Sequence, residues 1–202
     1  MKKRILAVFI VLAILASLVV SVLPLNAAVG SIKEDFQEYT ETTRFSVTSA
    51  DGAAQVFYAK ASYYLDKIAV RLDGVTETTG NVNLTLNGVS GNTWTPDVIL
   101  SASTPIPIGN IQLTASQYYT FQMLTPIFIT QGQKYAIVLS VDAGNTIEWY
   151  YGPYLDSLNY PAYYYTSSAW FPFGTYVNFD YDVYGTQTAA PIWQTQAASS
   201  PA

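Results

Sequence analysis

Short runs of alternating apolar and polar residues make up most of this chain. One such run extends from Tyr63 to Asp73, and another extends from Asn81 to Asn87. Alternation at every second residue is typical of a β-strand with one buried and one exposed face. Tyr135 to Val141 is mostly apolar on both sides, which predicts a central strand buried on both faces.

Turn residues separate these runs at short intervals. From Thr125 to Gly152 the pattern predicts three strands joined by two tight turns, one at Gln131-Gly132 and one from Asp142 to Asn145. No stretch after residue 28 has apolar residues at helical spacing over three turns. About ten short strands of this kind predict an all-β fold, a single antiparallel β-sandwich that is jelly-roll-like.

The first 28 residues have the pattern of a targeting segment. Three basic residues, Lys2 to Arg4, precede an apolar run from Ile5 to Leu23, and Pro24 and the small residues Ala27 and Ala28 follow it. This order predicts a signal peptide and a secreted or extracellular cell-surface protein. The apolar run is also long enough to cross a bilayer, so an uncleaved N-terminal membrane segment is the alternative.

The remaining chain is predicted to be one domain between two polar segments. Residues 29–42 are expected to form a flexible N-terminal arm or an irregular edge strand, and residues 43–185 the β-sandwich domain. Residues 186–202 form a low-complexity C-terminal tail. The apolar residues of the two flanking segments are candidates for assembly with another copy of the chain: Ile32, Phe36, Tyr39, Ile192 and Trp193.

Composition excludes several classes of function. The chain has no His and no Cys, which excludes histidine-based triads, thiol nucleophiles, disulfides and the common zinc sites. The formal net charge of −5 becomes −8 if the three basic residues from Lys2 to Arg4 are removed with the leader. Nucleic acid is therefore not a predicted partner, because its binding requires a basic surface. We expect a protein that is not an enzyme and that contacts a membrane only through an uncleaved N-terminal segment.

Aromatic residues are concentrated between Trp149 and Tyr176, and Phe179 and Tyr181 follow in the last predicted strand. Some of them lie at inward positions of predicted strands and are expected in the core: Trp149, Tyr151, Phe179 and Tyr181. The others lie among Gly and Pro turns, where flat rings form a rigid surface for stacking on a sugar or a neighbouring protein. The candidates for ligand contact are Tyr154, Tyr160, Tyr163, Tyr165 and Trp170.

Two further polar features are candidate sites. Asn178, Asp180 and Asp182 share the predicted outward face of the last strand and supply three of the six or more oxygens that Ca²⁺ requires. No cofactor is predicted apart from this possible structural Ca²⁺. Asn83-Leu84-Thr85 is an N-glycosylation sequon, and the alternation places Asn83 on an outward face.

The order of these motifs resembles a group of secreted β-sandwich modules. The recurring core of those modules is T-x-G-x-x-Y-x-[ILV]-x-L. Its five specified positions are matched here by Thr130, Gly132, Tyr135, Ile137 and Leu139. The modules occur in bacterial and archaeal surface proteins and are similar to carbohydrate-binding, galactose-binding-like jelly rolls. The resemblance covers residues 55–185 and implies a non-catalytic protein that binds a glycan or a surface. It supplies no binding residues, because only core positions match.

The alternative to glycan binding is a structural role. An exported sandwich with a segment at each end can lend that segment to the open sheet edge of a neighbouring copy. The protein would then be a self-assembling subunit of an extracellular filament or surface layer, joined by donor-strand-type exchange.

Overall fold

The computed structural model describes residues 31–38, 40, 43–74, 79–91, 94–112, 116–153, 161–173 and 177–187. These residues form fourteen β-strands and one short 3₁₀ helix, Ile108–Asn110. The strands are β1 (Ile32–Gln37), β2 (Arg44–Thr48), β3 (Gly52–Tyr58), β4 (Tyr63–Gly74), β5 (Asn81–Ser90), β6 (Thr95–Ala102), β7 (Ile106–Pro107), β8 (Gln117–Ile129), β9 (Lys134–Val141), β10 (Thr146–Pro153), β11 (Ala162–Thr166), β12 (Ala169–Pro172), β13 (Val177–Phe179) and β14 (Tyr181–Thr186).

The strands form two antiparallel sheets of seven strands each. Sheet I has the order β1-β14-β4-β10-β13, with β2 paired to β10 and β8 paired to β4. Sheet II has the order β12-β11-β3-β9-β5-β6, with β7 paired to β5. The predicted all-β sandwich is confirmed. The strands outnumber the predicted ten in part because β7 and β12 have only two and four residues, too few for alternation to reveal them. In addition, the last predicted strand is divided into β13 and β14.

The core lies between the inner faces of the two sheets. Its largest fully buried side chain is Trp149, which stacks on Phe179 with a distance of 4.3 Å between ring centroids. Tyr181 is also buried, and Tyr151 packs against the core, so the expectation for these four aromatic residues is confirmed. Burial of each such side chain contributes about 1.5–3 kcal/mol to folding before entropy losses.

The three strands predicted between Thr125 and Gly152 are present, but consecutive strands lie in opposite sheets. β8 and β10 belong to Sheet I, whereas β9 is a central strand of Sheet II between β3 and β5. The connecting turns contain Gly132 and Gly144, each with φ of 82°, a conformation that glycine adopts without steric strain. The two turns therefore connect the sheets and do not close hairpins.

Residues 32–37 form an edge strand of Sheet I, the second of the two structures expected for this segment. β1 pairs with β14, and the register shifts between Lys33 and Asp35. Its polar side chains are held by the domain, since Tyr63 Oη donates to Asp35 Oδ2 at 3.0 Å and Ser31 Oγ donates to Asp66 Oδ1 at 2.9 Å. These contacts explain why a segment with few apolar residues is ordered.

None of the described residues belongs to a helix that is long and apolar enough to cross a membrane. The predicted signal peptide or membrane segment, residues 1–28, and most of the C-terminal tail lie outside the described residues.

Candidate functional site

The outer face of Sheet II places two of the predicted ligand-contact residues beside each other. Tyr165 in β11 pairs with Trp170 in β12 on one side and with Gly52 in β3 on the other. Ser140 in β9 lies in the next strand and pairs with Asn83 in β5. Side chains in one row across a sheet point to the same face, so aromatic rings, a glycine and two polar residues share this surface.

A cleft of about 230 Å³ opens at the aromatic end of this row. Tyr165 and Trp170 form its aromatic wall, with a distance of 5.1 Å between ring centroids and an angle of 58° between the ring planes. Both side chains are half-buried, which fixes the rings and leaves part of their surface accessible. The residues that line the cleft are Thr48, Ser49, Ala50, Gly52, Val138, Leu139, Ser140, Tyr165 and Trp170.

The glycine in the lining keeps the cleft open. A Cβ atom at Gly52 would lie 3.7 Å from Tyr165 Cβ and 3.4 Å from the carbonyl oxygen of Leu139. These are ordinary contact distances, so the backbone tolerates a side chain here, but that side chain would fill space beside the aromatic wall. A glycine at such a position is typical of a strand that a ligand approaches closely.

Hydroxyl groups form the polar part of the cleft. Ser49 Oγ accepts a hydrogen bond from the Gly144 amide at 3.2 Å, and Thr48 Oγ1 accepts one from the Asp51 amide at 3.0 Å. Ser140 is exposed. The turn that follows β2 is therefore fixed in place, and hydroxyl groups lie next to flat apolar rings. This combination suits a ligand with one apolar face and hydroxyl groups at its edge.

Tyr163, a third predicted ligand-contact residue, is not part of the cleft lining. Tyr163 is buried and packs in a small cluster with Ala54, Val56 and Ala136, against which Trp170 also packs. Burial raises the pKa of the Tyr163 hydroxyl above its usual value. Tyr163 thus belongs to the cluster on which Trp170 rests. Tyr154 and Tyr160 lie outside the described residues.

Sequence reasoning missed Trp94, which packs against the same small cluster. Its φ of 60° is in the left-handed region, which is unusual for a bulky residue. Lys134 Nζ lies 3.3 Å from the centre of the Trp94 ring, a cation–π contact. Trp94 and Lys134 are far apart in sequence, so the pattern of neither segment indicates this pair.

The three residues predicted to face solvent near the chain end are buried. Asn178, Asp180 and Asp182 are 2%, 0% and 4% exposed. The prediction that these side chains face solvent is wrong, because each one is covered and has a separate partner. Within the described ranges, no group of three or more acidic, His or Cys residues is arranged to hold a metal. The separate contacts are Gln55 Nε2 to Asn178 Oδ1 at 3.2 Å, Tyr118 Oη to Asp180 Oδ1 at 2.7 Å, and Lys33 Nζ to Asp182 Oδ2 at 3.0 Å.

Asp180 marks the point where the last predicted strand divides. β13 before it pairs with β10, and β14 after it pairs with β4. The Asp180 carboxylate accepts a hydrogen bond from the Tyr118 hydroxyl and forms an ion pair with Arg71 at 3.4 Å. The Asp180 carbonyl oxygen accepts a hydrogen bond from the Trp149 indole N–H at 3.0 Å. Burial and the hydrogen bond to Asp180 raise the pKa of Tyr118, which keeps the phenol a donor. Asp180 therefore holds the divided strand in place.

A second cleft, of about 580 Å³, lies on the outer face of Sheet I. It is lined by Glu38, Thr40, Arg71 and Tyr118. Arg71 Nη2 donates to Ser116 Oγ at 2.8 Å, in addition to its pairing with Asp180. The charged groups in this cleft are bound to other residues of the chain, so we do not assign it a ligand.

The sequon residue lies beside the first cleft. Asn83 is half-buried, and its Nδ2 atom donates to Asp142 Oδ1 at 3.0 Å. Hydrogen bonds from Asn83 and Asn81 hold the pKa of Asp142 below its usual value. The atom to which an N-linked glycan would be attached is thus engaged, and glycosylation of Asn83 stays a prediction.

The assembly candidates that the structure describes are exposed. Ile32 and Phe36 in β1 are 45% and 50% exposed. Tyr39, Ile192 and Trp193 lie outside the described residues.

No protein-family model matches this chain, and no curated protein matches it.

Proposed function

We propose that this protein is a non-catalytic, secreted or cell-surface β-sandwich that binds glycan in the cleft formed by Tyr165 and Trp170. The observation that carries this proposal is the pairing of two half-buried rings with serine and threonine hydroxyls around an open glycine. A pyranose ring has an apolar face that stacks on aromatic rings and hydroxyl groups at its edge that exchange hydrogen bonds.

The volume of the cleft limits the size of the ligand that it can hold. A volume of about 230 Å³ is near the lower end of the range for small-molecule pockets, which suits one or two sugar units. The lining contains no charged residue, so we expect a neutral sugar and binding that depends little on salt. The absence of His and Cys from the sequence supports a role in binding and not in catalysis.

Retention on an array of immobilised neutral polysaccharides tests this proposal. We expect Trp170→Ala to lose retention, because it removes half of the aromatic wall. Phe171→Ala is the matched control: Phe171 is the next residue of the same strand, is 41% exposed, and stacks on Tyr164 instead of lining the cleft. Equal retention of both variants, at wild-type level, would count against the cleft.

The alternative function is a self-assembling subunit, and the position of β1 favours it. β1 pairs with one neighbour only, β14, at an edge of Sheet I. The same backbone hydrogen bonds would form if β1 came from another copy, as in donor-strand assembly. Electron microscopy of the wild type and of a variant lacking residues 29–41 tests this role. Polymers of the wild type that disappear in the deletion variant support it, and polymers in both exclude this segment as the donor.

A further inference from the structure

The contacts of one lysine on β1 point to a covalent modification. Lys33 Nζ lies 3.0 Å from Asp182 Oδ2 and also contacts Glu38 Oε1. An amine, a carboxyl group and a second carboxylate thus meet at one point on the outer face of Sheet I. β1 and β14, which carry the amine and the carboxyl group, are the first and last strands of the described chain.

The environment of Asp182 disfavours its ionised form. Its side chain is 6% exposed, and its Oδ1 atom is buried without a hydrogen-bond partner. Burial of a carboxylate oxygen without a hydrogen-bond partner costs folding free energy, and burial of a neutral acid or an amide in the same place costs less. Burial raises the pKa of Asp182 even though the hydrogen bond from Lys33 lowers it. The neutral acid, which is the form that an amine attacks, is thereby favoured.

Glu38 supplies the proton transfers that the reaction needs. Burial lowers the pKa of Lys33, but hydrogen bonds to Glu38 and Asp182 raise it above its usual value, so the amine reacts only after it loses a proton. The Glu38 carboxylate contacts the amine and can accept that proton. Its side chain is 50% exposed, so it exchanges protons with water.

We propose that Lys33 and Asp182 condense to an intramolecular amide, with Glu38 as the catalytic base and then acid. Asp182 reacts as the neutral acid. Glu38 takes a proton from the Lys33 ammonium, and the free amine attacks the Asp182 carboxyl carbon to form the N–C bond. Glu38 then gives its proton to the Oδ2 hydroxyl, the C–Oδ2 bond breaks and water leaves, and the Glu38 carboxylate takes the extra proton from the nitrogen and releases it to solvent. One ammonium and one neutral carboxyl group thus give one neutral amide, one water and one proton. The fixed geometry of the two strands replaces an external activating agent.

This bond would change what the edge strand can do. β1 is held by one neighbouring strand, and the chain has no Cys with which to fix it by a disulfide. An amide between β1 and β14 prevents β1 from leaving the sheet, which also prevents its donation to another copy. The proposal is independent of glycan binding and excludes strand exchange by β1 in the linked protein.

Peptide mapping of the protein expressed in full tests the proposal. After digestion with trypsin and chymotrypsin under denaturing conditions, we expect a linked peptide that contains Lys33 and Asp182. Its mass should equal the sum of the two peptides less one water, and trypsin should not cut after Lys33. Recovery of the two segments only as separate linear peptides would overturn the proposal, wherever the mature chain begins.

Two variants give the matched controls. Lys33→Arg keeps the positive charge and the ion pair but cannot form the amide, so we expect no linked peptide. Glu38→Gln keeps the size of the side chain and removes the proton acceptor, so linkage should be about 100-fold slower. A linked peptide of unchanged yield in Lys33→Arg would overturn the assignment of the amine. An unchanged linkage rate in Glu38→Gln would overturn the role of Glu38.

Discussion

The outer faces of the two sheets differ in the charge of their side chains and in how those side chains are paired. On Sheet I, three buried carboxylates are each paired with a base: Asp73 with Arg44 at 2.9 Å, Asp180 with Arg71 at 3.4 Å, and Asp182 with Lys33 at 3.0 Å. On Sheet II, the small residues Ala54 and Ala136 are covered by aromatic rings. The cleft beside those rings has no charged residue in its lining.

We propose that this difference separates a face that stabilises the fold from a face that binds a ligand. A charge that is buried with one partner stabilises the fold only while that partner is present, so the outer face of Sheet I is sensitive to substitution. The rings and hydroxyl groups around the cleft on Sheet II leave part of their surface accessible, and we propose that a ligand binds there. We therefore expect substitutions on Sheet I to change stability and substitutions in the cleft to change binding.

The largest effect on stability is expected at Asp180. Asp180→Ala leaves the half-buried Arg71 guanidinium and the Tyr118 hydroxyl without their carboxylate. The free energy of unfolding should fall by about 3–5 kcal/mol, measured by urea denaturation. Asp97→Ala, at an exposed position of Sheet II, is the control and should change it by less than about 0.5 kcal/mol. Equal effects of the two would contradict the comparison.

The next effect concerns pH. Burial raises the pKa of Asp35 on Sheet I above its usual value of 3.8, even though the hydrogen bond from Tyr63 lowers it. The folded state therefore prefers the neutral acid, and Asp35 reduces stability progressively as the pH rises above about 3.8 through its folded-state pKa. Asp35→Asn should remove this loss, so the variant gains stability relative to the wild type with rising pH in urea denaturation.

The contribution of Asp142, which lies beside the cleft, should change with pH in the direction opposite to that of Asp35. Hydrogen bonds from Asn83 and Asn81 lower its pKa, so its contribution is present above 3.8 and is lost as the pH falls through its folded-state pKa. Asp142→Asn should lose stability relative to the wild type above pH 3.8 and match it in strong acid. If the stabilities of Asp35→Asn and Asp142→Asn, each relative to the wild type, changed with pH in the same direction, the assigned difference between these two carboxyl groups would be contradicted.

A smaller effect is expected from Lys134→Gln. This substitution removes the cation that lies 3.3 Å from the centre of the Trp94 ring. Thermal or urea denaturation should show a loss of about 0.5–1 kcal/mol. Lys60→Gln is the control, because Lys60 lies 5.9 Å from the Phe36 ring and should contribute less. A larger loss at Lys60 than at Lys134 would exclude a role for the Trp94 contact.

The smallest effect on stability is expected from Gly52→Val. The added side chain begins at ordinary contact distances, and valine suits a strand better than glycine does. The free energy of unfolding should change by less than about 0.5 kcal/mol in urea denaturation. A loss of several kcal/mol would show that Gly52 is needed for the fold and not for an open cleft.

The inner faces could be predicted from the sequence, whereas most contacts on the outer faces could not. The alternation around Val70 and the apolar residues of β9 identify strands and their core sides, because burial alone fixes that pattern. Asp180 and Asp182 alternate with apolar residues like solvent-facing side chains do, yet they are buried because bases from distant strands cover them. The sequence names Tyr165 and Trp170 as candidate contact residues. Gly52 lies beside them through cross-strand pairing with Tyr165, and Ser49 and Trp94 are placed by contacts with the distant residues Gly144 and Lys134, which no local pattern records.

The most direct test of glycan binding in the cleft is the retention of Gly52→Val on immobilised neutral polysaccharides. This variant leaves both aromatic rings in place and fills only the space between them and β9. We expect the wild type to be retained on at least one polysaccharide and Gly52→Val to elute with the unbound fraction while its unfolding curve matches that of the wild type. Equal retention of the two proteins, or no retention of the wild type on any polysaccharide, would contradict the account.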